Sequence, residues 1–432
     1  MSERGVSGDY YDQTPPGEIV ESEDEAQHLG PFGPNLEPTV AVIGVGYVGE
    51  HLVNAFADRC RVIGFDVSAA RIQELRLGGH ASSSTFFTSK TSDIAAATHF
   101  LISVPTLLLP DQQVDSSCLR QAIAIVGRHA RPGSTVVIES SVAVGMTRSL
   151  LGPLARDKRL WAGMSPERVD PGRALPPARA IPKVVSGLDD VVAGSSDAVA
   201  RLYERAFDEV VRVSRPEVAE MMKLYENCQR MVCIAYANEM ADACAGHGID
   251  PFEVCGAAAT KPFGHLPFSP SLGVGGHCIP VNPYYLLSNS EFPLLRMATE
   301  KMRARPAVLA QRVIDRLGGR QYTTIGRLPR SRPKVLVAGI GFKPGQSHLA
   351  NSPGLALAKS LVISGRVEVA WADPLVAPEA VPQIPQLHAG QWKVTFLKEN
   401  FDYVIAAIRQ TGLDWSVLDK LPVTMVEWWF AK

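Results

Sequence analysis

Several features that would point to a particular partner or compartment are absent from the sequence. Basic and acidic residues nearly balance, 43 against 44, so there is neither a basic surface of the kind that binds nucleic acid nor a polybasic cluster suited to a membrane. No apolar run reaches the roughly 18 residues that span a bilayer, and the N-terminus lacks the pattern of a signal peptide. We therefore expect a cytoplasmic protein without nucleic acid or membrane among its partners.

Cysteine is scarce, at seven of 432 residues, an odd number with no paired zinc spacing. Neither a disulfide framework nor a metal site is therefore expected. In a reducing compartment most cysteines are small buried apolar residues, and this is the default interpretation of each one. Cys278, in a glycine-rich segment, is the exception considered below.

The chain is long enough for two or three domains, because 432 residues exceed what one hydrophobic core usually supports. Residues 1–37 contain nine acidic residues against one basic residue and few aliphatic ones. A segment of that composition cannot bury enough apolar surface to offset the entropy lost on ordering. We predict a disordered acidic tail there.

From residue 39 onward, apolar runs typical of buried strands alternate with amphipathic helical stretches. This order predicts a parallel sheet covered by helices on both faces, and we assign residues 38–215 to an N-terminal Rossmann domain. The predicted strands are at 39–45, 61–65, 99–104 and 135–140, and the predicted helices at 47–58, 68–77 and 116–130.

Pro216 opens an uninterrupted helical pattern that ends near Gly246 or Gly248. A helix of ~30 residues spans roughly 45 Å, enough to connect two domains and to offer a dimer surface. We assign 216–317 to a central helical region and 318–432 to a second, smaller α/β domain that begins with a linker up to residue 333. The predicted fold class is α/β, with two Rossmann-like doubly wound domains joined by a long central helix.

Gly44, Gly46 and Gly49 lie between a predicted strand and a predicted helix. The tight turn, the close approach of the backbone to a pyrophosphate and the contact between helix and sheet each require a residue without Cβ. Asp66 ends the next predicted strand, where a carboxylate binds an adenosine ribose and would repel a 2′-phosphate. The pattern favours NAD over NADP as the cofactor of residues 38–215; the alternative is a tight turn without a ligand.

The segment SLGVGGHCIPVNPYYL, from residue 271, clusters glycines in front of Cys278. Clustered glycines allow a bulky ligand to approach the backbone, and backbone N–H groups in such a loop lower a thiol pKa. The neighbouring His277 favours a reactive thiol over the default buried role without deciding between them.

Glu220, Lys223, Asn227 and Arg230 recur in the long predicted helix at three- and four-residue spacing and therefore share one face. One interpretation is a solvated surface stripe. The other is a buried polar stripe in which the lysine meets an anion such as a developing alkoxide. Apolar residues on the flanking faces favour the second and indicate a helix packed on several sides; they include Met221, Leu224 and Met231.

Ordered motifs along nearly the whole chain after residue 38 resemble the UDP-glucose/GDP-mannose dehydrogenase family, most closely its bacterial branch that acts on UDP-N-acetylhexosamines. Arg168 stands where the glucose branch usually has an aromatic residue. The motifs are VAVIGVGYVG from residue 40, VPT at 104–106, ESSVAVGMT at 139–147, SPERVDPG at 165–172, IPKVVSG at 181–187, AEMMKLYEN at 219–227, AAATKPFGHLPFSPSLGVGGHCIPVNP at 257–283 and GIGFKP at 339–344.

The resemblance implies an NAD-dependent, four-electron oxidation of the C6 hydroxyl of a nucleotide sugar to a carboxylate, without release of the aldehyde. Cys278 would trap the aldehyde as a thiohemiacetal, which is oxidised by a second NAD to a thioester and then hydrolysed. A thiolate adds readily to an aldehyde and leaves readily from an acyl group, which divides a difficult oxidation into easier steps. A homodimer or higher homo-oligomer through the central region is also implied.

The resemblance assigns further residues. Lys223 and Asn227 match positions that stabilise oxyanions, Glu167 matches a carboxylate that assists thioester hydrolysis, and Ser141 replaces a threonine but keeps the hydroxyl. The implied catalytic residues are Cys278, Lys223, Asn227, Glu167, Ser141 and Asn282. The implied NAD-binding residues are Gly44, Gly46, Tyr47, Val48, Gly49, Asp66, Arg71, Val104, Pro105, Thr106, Ser140 and Ser141. The implied residues for the nucleotide sugar are Glu167, Arg168, Lys223, Asn227, Lys261, Phe263, Gly275, Gly276, Phe342 and Lys343, the last two in a UDP-binding domain at 318–432.

Two departures from the family pattern bear on activity. The family has an aspartate four residues after the nucleophile, where this sequence has Asn282, an amide that hydrogen-bonds but cannot act as a base. Gly345, His348 and Ala350 replace two acids and an arginine that contributes to nucleotide contacts. Losing one charge-assisted phosphate contact costs roughly 1.5 to 3 kcal/mol, or tenfold and more in affinity. The sequence therefore leaves open a substrate whose nucleotide part is not the usual UDP.

Three hypotheses follow for the function. The first is an active nucleotide-sugar 6-dehydrogenase, with a UDP-N-acetylhexosamine favoured and UDP-glucose as the alternative substrate; intact Cys278, Lys223 and Glu167 favour it. The second is a diverged, weakly active or non-catalytic binder of NAD and a sugar nucleotide, suggested by Asn282 and Ala350. The third is an ordinary 2-hydroxyacid dehydrogenase, which needs a histidine or lysine base and no cysteine.

Overall fold

The computed structural model describes residues 37–79, 84–169, 175–320 and 332–431. The predicted acidic tail, apart from Glu37, and most of the predicted linker before residue 333 lie outside these residues.

Strands and helices alternate along the described residues. The strands are β1 (Thr39–Ile43), β2 (Arg61–Phe65), β3 (Thr85–Thr88), β4 (His99–Ile102), β5 (Leu107–Leu108), β6 (Val114–Asp115), β7 (Thr135–Ile138), β8 (Trp161–Met164), β9 (Lys183–Gly187), β10 (Val210–Arg212), β11 (Lys334–Ala338), β12 (Glu368–Ala372), β13 (Tyr403–Ala406) and β14 (Val426–Trp428). The α-helices are α1 (Tyr47–Ala57), α2 (Ala69–Leu77), α3 (Ser117–His129), α4 (Met146–Lys158), α5 (Ser195–Tyr203), α6 (Pro216–Gly246), α7 (Pro251–Ala259), α8 (Asn282–Leu287), α9 (Pro293–Arg320), α10 (Pro353–Ile363), α11 (Val394–Asn400) and α12 (Ser416–Asp419).

The first sheet has eight strands in the order β10–β9–β8–β7–β4–β1–β2–β3. Its neighbouring strands are parallel, except that β8 and β9 are antiparallel. The run β3–β2–β1–β4–β7–β8 has the order of a Rossmann sheet, in which a ligand binds beyond the carboxyl ends of the strands where the order reverses. That reversal lies between β1 and β4, where Val40 pairs with His99.

The central strands β1, β4 and β7 are buried on both faces because each is apolar at every position after its first residue. Residues 40–43 of β1 are at most 1% exposed. Val42 packs in one core with Phe56 of α1, and Ile43 packs in another with Val126 of α3. Alternate residues of one strand therefore point to opposite helical layers, as the sequence pattern predicts.

The second sheet, in the order β12–β11–β13–β14, is entirely parallel. Val337 of β11 shares a core with Leu361 of α10, and Leu336 shares one on the other face with Trp415. With the long helix α6, these two sheets confirm the predicted α/β fold class.

The described residues form two compact units. One contains residues 37–226 and 284–291, and the other contains 227–283 and 292–431. The division falls within α6, since that helix supplies its first turns to one unit and the rest to the other. The three-part division proposed from the sequence, at 38–215, 216–317 and 318–432, stays a prediction.

The long helix α6 has 31 residues and ends at Gly246, as predicted. Leu224 and Met231 are buried, but Met221 is 40% exposed. The expectation that α6 is packed around Met221 is therefore wrong, because that residue lies on a face that the described residues leave uncovered. Other large apolar residues exposed on α6 are Val218, Tyr225, Tyr236 and Met240.

None of the described helices is both long and apolar enough to cross a membrane. Within the same ranges, His, Cys, Asp and Glu side chains form no group of three that could hold a metal ion.

Candidate active site

The glycine turn after β1 has no room for side chains. A Cβ on Gly44, whose φ is +88°, would lie 2.7 Å from the Ser103 carbonyl oxygen, and one on Gly49 would lie 1.9 Å from the Gly44 carbonyl oxygen. Gly46 caps α1 without a side-chain hydrogen bond, and Tyr47 and Val48 begin that helix. This bare helix N-terminus at the sheet reversal fits the pyrophosphate of a dinucleotide.

Asp66, at the end of β2, closes one side of this turn. Its carboxylate accepts hydrogen bonds from the backbone N–H of Val45 at 3.0 Å and of Ser68 at 2.9 Å. Burial raises the pKa of the carboxyl, and these two N–H groups oppose that rise. Arg71 donates from Nε to the Val45 carbonyl at 2.9 Å and pairs with Glu50 at 2.5 Å. The predicted residues Asp66 and Arg71 therefore both hold the glycine turn.

The loops after β4 and β7 form the other side of the turn. Ser140 Oγ donates to the Val104 carbonyl at 2.6 Å, and Thr106 Oγ1 donates to the Ser141 carbonyl at 2.7 Å. A Cβ on Gly44 would also lie 3.1 Å from the Val104 side chain. The predicted NAD-binding loops, with Pro105 between Val104 and Thr106, thus meet at one edge of the sheet.

Glu167 follows β8 and is held on both carboxylate oxygens. Oε1 accepts the backbone N–H of Val169 at 2.8 Å and of Arg168 at 2.5 Å, and Oε2 accepts Lys183 Nζ at 3.2 Å. Lys223 Nζ of α6 donates to the carbonyl oxygen of Glu167. Burial alone would raise the pKa of this carboxyl, but the Lys183 charge and the two N–H groups lower it. Glu167 is therefore an oriented carboxylate that stays ionised.

Lys183 and Glu139 are site residues that the sequence reasoning missed. Lys183 Nζ lies 2.7 Å from Glu139 Oε2, and both side chains are at most 2% exposed. A lysine that begins an otherwise uncharged, buried strand was the available signal. Its partners are 44 and 16 residues away in sequence, so the cluster itself was not visible.

Arg168 is occupied by protein groups. Its guanidinium pairs with Glu226 of α6 at 2.7 Å and donates to the Pro182 carbonyl at 2.9 Å. In this arrangement Arg168 fixes the loop that carries Glu167, and its predicted contact with the sugar stays a prediction.

Glu220 has a structural role. Its fully buried carboxylate accepts the backbone N–H groups of Gly145 at 2.6 Å and Thr147 at 2.8 Å, at the N-terminus of α4. A negative charge at that end of a helix satisfies otherwise unpaired donors and interacts favourably with the positive end of the helix dipole. The first member of the polar stripe therefore caps a neighbouring helix.

In the other unit, Asn227 and Asn282 form a directed chain of hydrogen bonds. Arg230 donates to Asn227 Oδ1, and Asn227 Nδ2 donates to Asn282 Oδ1. Because a guanidinium only donates, the orientation of Asn227 is fixed, and with it that of Asn282. Asn282, 2% exposed, therefore keeps an N–H donor for its next partner where an aspartate would present an acceptor.

Cys278 lies in the turn that leads into α8. Its carbonyl oxygen accepts the backbone N–H of Asn282 at 2.9 Å. All seven cysteines are within the described residues, and Cys278 is the exposed one. Burial raises the pKa of the Cys228 thiol to about 12 and that of Cys60 to about 11. Cys278 is thus the most exposed of the seven thiols and has access to a substrate.

The glycines before Cys278 make room for protein as well as ligand. A Cβ on Gly275 would lie 2.9 Å from Phe342 Cβ, and Gly276, with φ of +93°, donates from its N–H to the Ala350 carbonyl at 2.8 Å. Phe342 therefore occupies space that Gly275 leaves, and the approach of a ligand to these glycines stays a prediction. Asn351 Nδ2 adds a bond to the Gly276 carbonyl at 3.0 Å.

The remaining predicted sugar residues are less enclosed. Phe263 is 70% exposed, with Lys261 Nζ 4.8 Å from its ring centre, and Lys343 is half-buried. A pocket that the sequence reasoning missed lies against Phe342; it is lined by Ser271, Leu272, Gly275, Pro353, Trp429 and Phe430, among others. The aromatic run near the C-terminus was its available signal.

Comparison with known proteins identifies the family of this chain. Residues 38–207 match the NAD binding domain of the UDP-glucose/GDP-mannose dehydrogenase family, and residues 217–301 match its central domain. The UDP-N-acetyl-D-glucosamine 6-dehydrogenase of Pseudomonas aeruginosa is 31% identical over 368 residues, which cover 79% of this chain and 83% of that protein. The UDP-N-acetyl-D-mannosamine dehydrogenase of Pyrococcus horikoshii is 29% identical, over 78% of this chain and 84% of that one.

Solved structures agree as well. A structure of the Pyrococcus horikoshii UDP-D-ManNAc dehydrogenase superposes with a TM-score of 0.77 at 26% identity, covering 90% of this chain and 93% of that one. A UDP-glucose dehydrogenase from Pyrobaculum islandicum also gives 0.77, at 22% identity and over 93% and 96% of the two chains, which shows the fold alone. The chain is therefore a member of the UDP-glucose/GDP-mannose dehydrogenase family, an NAD-dependent oxidoreductase of the nucleotide-sugar dehydrogenase class.

Proposed function

We propose that this protein oxidises the C6 hydroxyl of a UDP-N-acetylhexosamine to the carboxylate, in two successive oxidations without release of the aldehyde. The observation that carries the proposal is Cys278, an exposed thiol in the turn before α8. The substrate class comes from the Pseudomonas aeruginosa relative, which is named for UDP-N-acetyl-D-glucosamine. The alternative substrate is UDP-glucose.

The chemistry at Cys278 divides the second oxidation into addition, hydride loss and hydrolysis. The thiolate forms a bond to the aldehyde carbon and the carbonyl oxygen takes a proton, which gives a thiohemiacetal. Loss of a hydride from that carbon and of the proton from the hydroxyl oxygen gives a thioester. Water then adds to the carbonyl, the C–S bond breaks, and the carboxylate leaves as the thiol is regenerated. NAD bound at the glycine turn would supply the hydride acceptor for each oxidation.

Other side chains would serve the charges that develop. Lys223 and Asn227, on successive turns of α6, are the proposed donors to the oxyanion. Glu167, an ionised carboxylate with fixed orientation, is the proposed base for the water that attacks the thioester. Ser141 retains a hydroxyl, and Asn282 contributes a donor, as the direction of its bond from Asn227 supports.

A panel of nucleotide sugars tests the substrate class. We expect NADH formation with UDP-N-acetylglucosamine or UDP-N-acetylmannosamine at a kcat/KM at least about tenfold above that with UDP-glucose, the scale on which one recognised polar group discriminates. Binding of every sugar without turnover of any would instead favour the non-catalytic binder that Asn282 and Ala350 suggest.

Asp66 is expected to set the preference for NAD. Asp66→Ala removes a charged acceptor for the ribose hydroxyls, so the KM for NAD should rise about tenfold or more while the KM for NADP falls. Asp58→Ala, an exposed carboxylate just after α1, is the matched control and should change neither. An unchanged ratio of the two KM values in Asp66→Ala would show that another residue excludes the 2′-phosphate.

A homodimer is the proposed assembly, and neither nucleic acid nor a membrane is a proposed partner. The apolar face of α6 that carries Met221, Tyr225 and Tyr236 supports it, since large apolar residues are exposed there along one helix. The cytoplasm is the proposed location.

A further inference from the structure

A buried group of charges lies behind Glu167, and the proposed chemistry does not use it. Lys183 at the start of β9 contacts Glu139, just after β7, at 2.7 Å and Glu167 at 3.2 Å. The Tyr203 hydroxyl of α5 donates a hydrogen bond to the Glu139 carboxylate. Glu139, Lys183 and Tyr203 are each at most 2% exposed.

Burying these charged groups has a cost in free energy that stability alone does not explain. Charged groups lose their hydration when they are buried, and apolar residues of similar volume often stabilise a core equally well. The Lys183 ammonium also lies 5.5 Å and 5.6 Å from the ring centres of Tyr203 and Phe207. One cation therefore faces two carboxylates in apolar surroundings, so the two compete for its charge.

The Glu139 and Glu167 carboxyls differ in how readily they accept a proton. Burial raises the pKa of Glu139 to about 7; Lys183 opposes that rise and the Glu167 charge adds to it. The pKa of Glu167 is lowered, because Lys183, two backbone N–H groups and Lys223 outweigh its burial. The titratable groups around the pair are thus Lys183 on β9, Tyr203 on α5 and Lys223 on α6. Glu139 is the member that changes charge near neutral pH.

We propose that Lys183 is a positioning residue that keeps Glu167 ionised and oriented for thioester hydrolysis, and that the charge state of Glu139 sets how basic Glu167 is. The inference rests on the proposed role of Glu167. A protonated Glu139 leaves the Lys183 charge to Glu167, which is then a weak base. An ionised Glu139 shares that charge and adds its own negative potential, so Glu167 becomes a stronger base for the attacking water.

Thioester hydrolysis forms one C–O bond and breaks the C–S bond. The water oxygen forms a bond to the thioester carbon as Glu167 takes the water proton, and the Cys278 sulfur then leaves as a thiolate. No oxidant is needed. Hydrolysis should therefore accelerate as pH rises through about 7, the value to which burial raises the pKa of Glu139.

Rapid mixing of enzyme, NAD and sugar separates this step from the oxidations. NADH formed in the first turnover reports hydride transfer. The steady-state rate of NADH formation reports hydrolysis under conditions in which hydrolysis is the slowest step. In Glu139→Gln, which is neutral at every pH, the steady rate should stay at its low-pH level and lose the rise near pH 7. The first-turnover rate should be unchanged. A rise near pH 7 identical to that of the unaltered protein overturns the proposal.

Lys183 variants test the positioning role. Lys183→Met should lower the steady rate at least about 100-fold, the scale of lost general-base assistance, with little change in the KM for sugar or NAD. Lys183→Arg should recover much of that rate. Lys334→Met, at the exposed start of β11 where Lys334 pairs with Glu368 at 3.6 Å, is the matched control. Equal losses in Lys183→Met and Lys183→Arg at unchanged melting temperature contradict the role.

Stability provides a readout that does not need turnover. The pKa of Glu139 rises from 4.5 to about 7 on folding, so its contribution to stability is complete below pH 4.5 and is lost as pH rises through about 7. Glu139→Gln should remove that loss between pH 4.5 and 7. If no nucleotide sugar is oxidised, the proposed function has failed, and this comparison still decides whether Glu139 titrates there; an identical pH dependence in both proteins overturns the inference.

Discussion

Cys278→Ser is expected to lower NADH formation from the nucleotide sugar by at least about 1,000-fold, the range in which loss of a covalent nucleophile falls. A serine hydroxyl is far less acidic than a thiol, so it adds poorly to the aldehyde and leaves poorly from an ester. The thioester step cannot then proceed. Affinity for NAD should not change, because the glycine turn of β1 is independent of this residue.

Cys255→Ser is the matched control for this prediction. Cys255 belongs to α7 in the same unit and is half-buried, and burial raises the pKa of its thiol. Its replacement should leave the rate within about twofold, as for a substitution without a special role. Near-normal two-step turnover by Cys278→Ser would exclude Cys278 as the nucleophile.

Glu220→Ala is expected to cost about 2–4 kcal/mol of unfolding free energy, the sum of a lost helix cap and of buried donors left without a partner. The carboxylate is fully buried and accepts two N–H groups at the start of α4. The alanine variant removes both bonds and leaves a cavity. Urea and thermal unfolding measure the change.

Glu217→Ala is the control for the cap. Glu217 lies one turn earlier on α6 and pairs with Arg148 at 2.5 Å, but both side chains reach solvent. Such a surface pair contributes ~0–1 kcal/mol. Glu220→Gln, which keeps one acceptor, should fall between the two alanine variants. Equal losses in both alanine variants would show that Glu220 does not act through the N-terminus of α4.

The parts of the fold that follow from local pattern could be predicted from the sequence. The strands β1, β4 and β7 are apolar at every position after the first, so both their burial and their parallel pairing were predictable. The end of α6 was predictable because Gly246 stops a helix that has no earlier interruption. The glycine turn was predictable because its geometry is tied to chain positions a few residues apart.

Features that depend on distant partners could not be predicted. Glu220 and the N–H groups that it caps are 73 and 75 residues apart, and the role of Gly275 depends on Phe342, which comes from another part of the chain. Exposure of Met221 was also hidden, because its spacing on α6 matches that of buried neighbours. Lys183 was visible as a charge at the start of an uncharged strand. Its role could not be predicted, because it depends on ion pairs with Glu139 and Glu167.

The ratio of NADH formed to sugar consumed tests the central claim most directly. A limiting amount of UDP-N-acetylglucosamine, or of whichever sugar is turned over, is incubated with excess NAD, and the product is identified by mass spectrometry. A four-electron oxidation through Cys278 predicts two NADH for each sugar and a uronic acid without free aldehyde. One NADH for each sugar, with the aldehyde or a ketone as the product, would contradict the account.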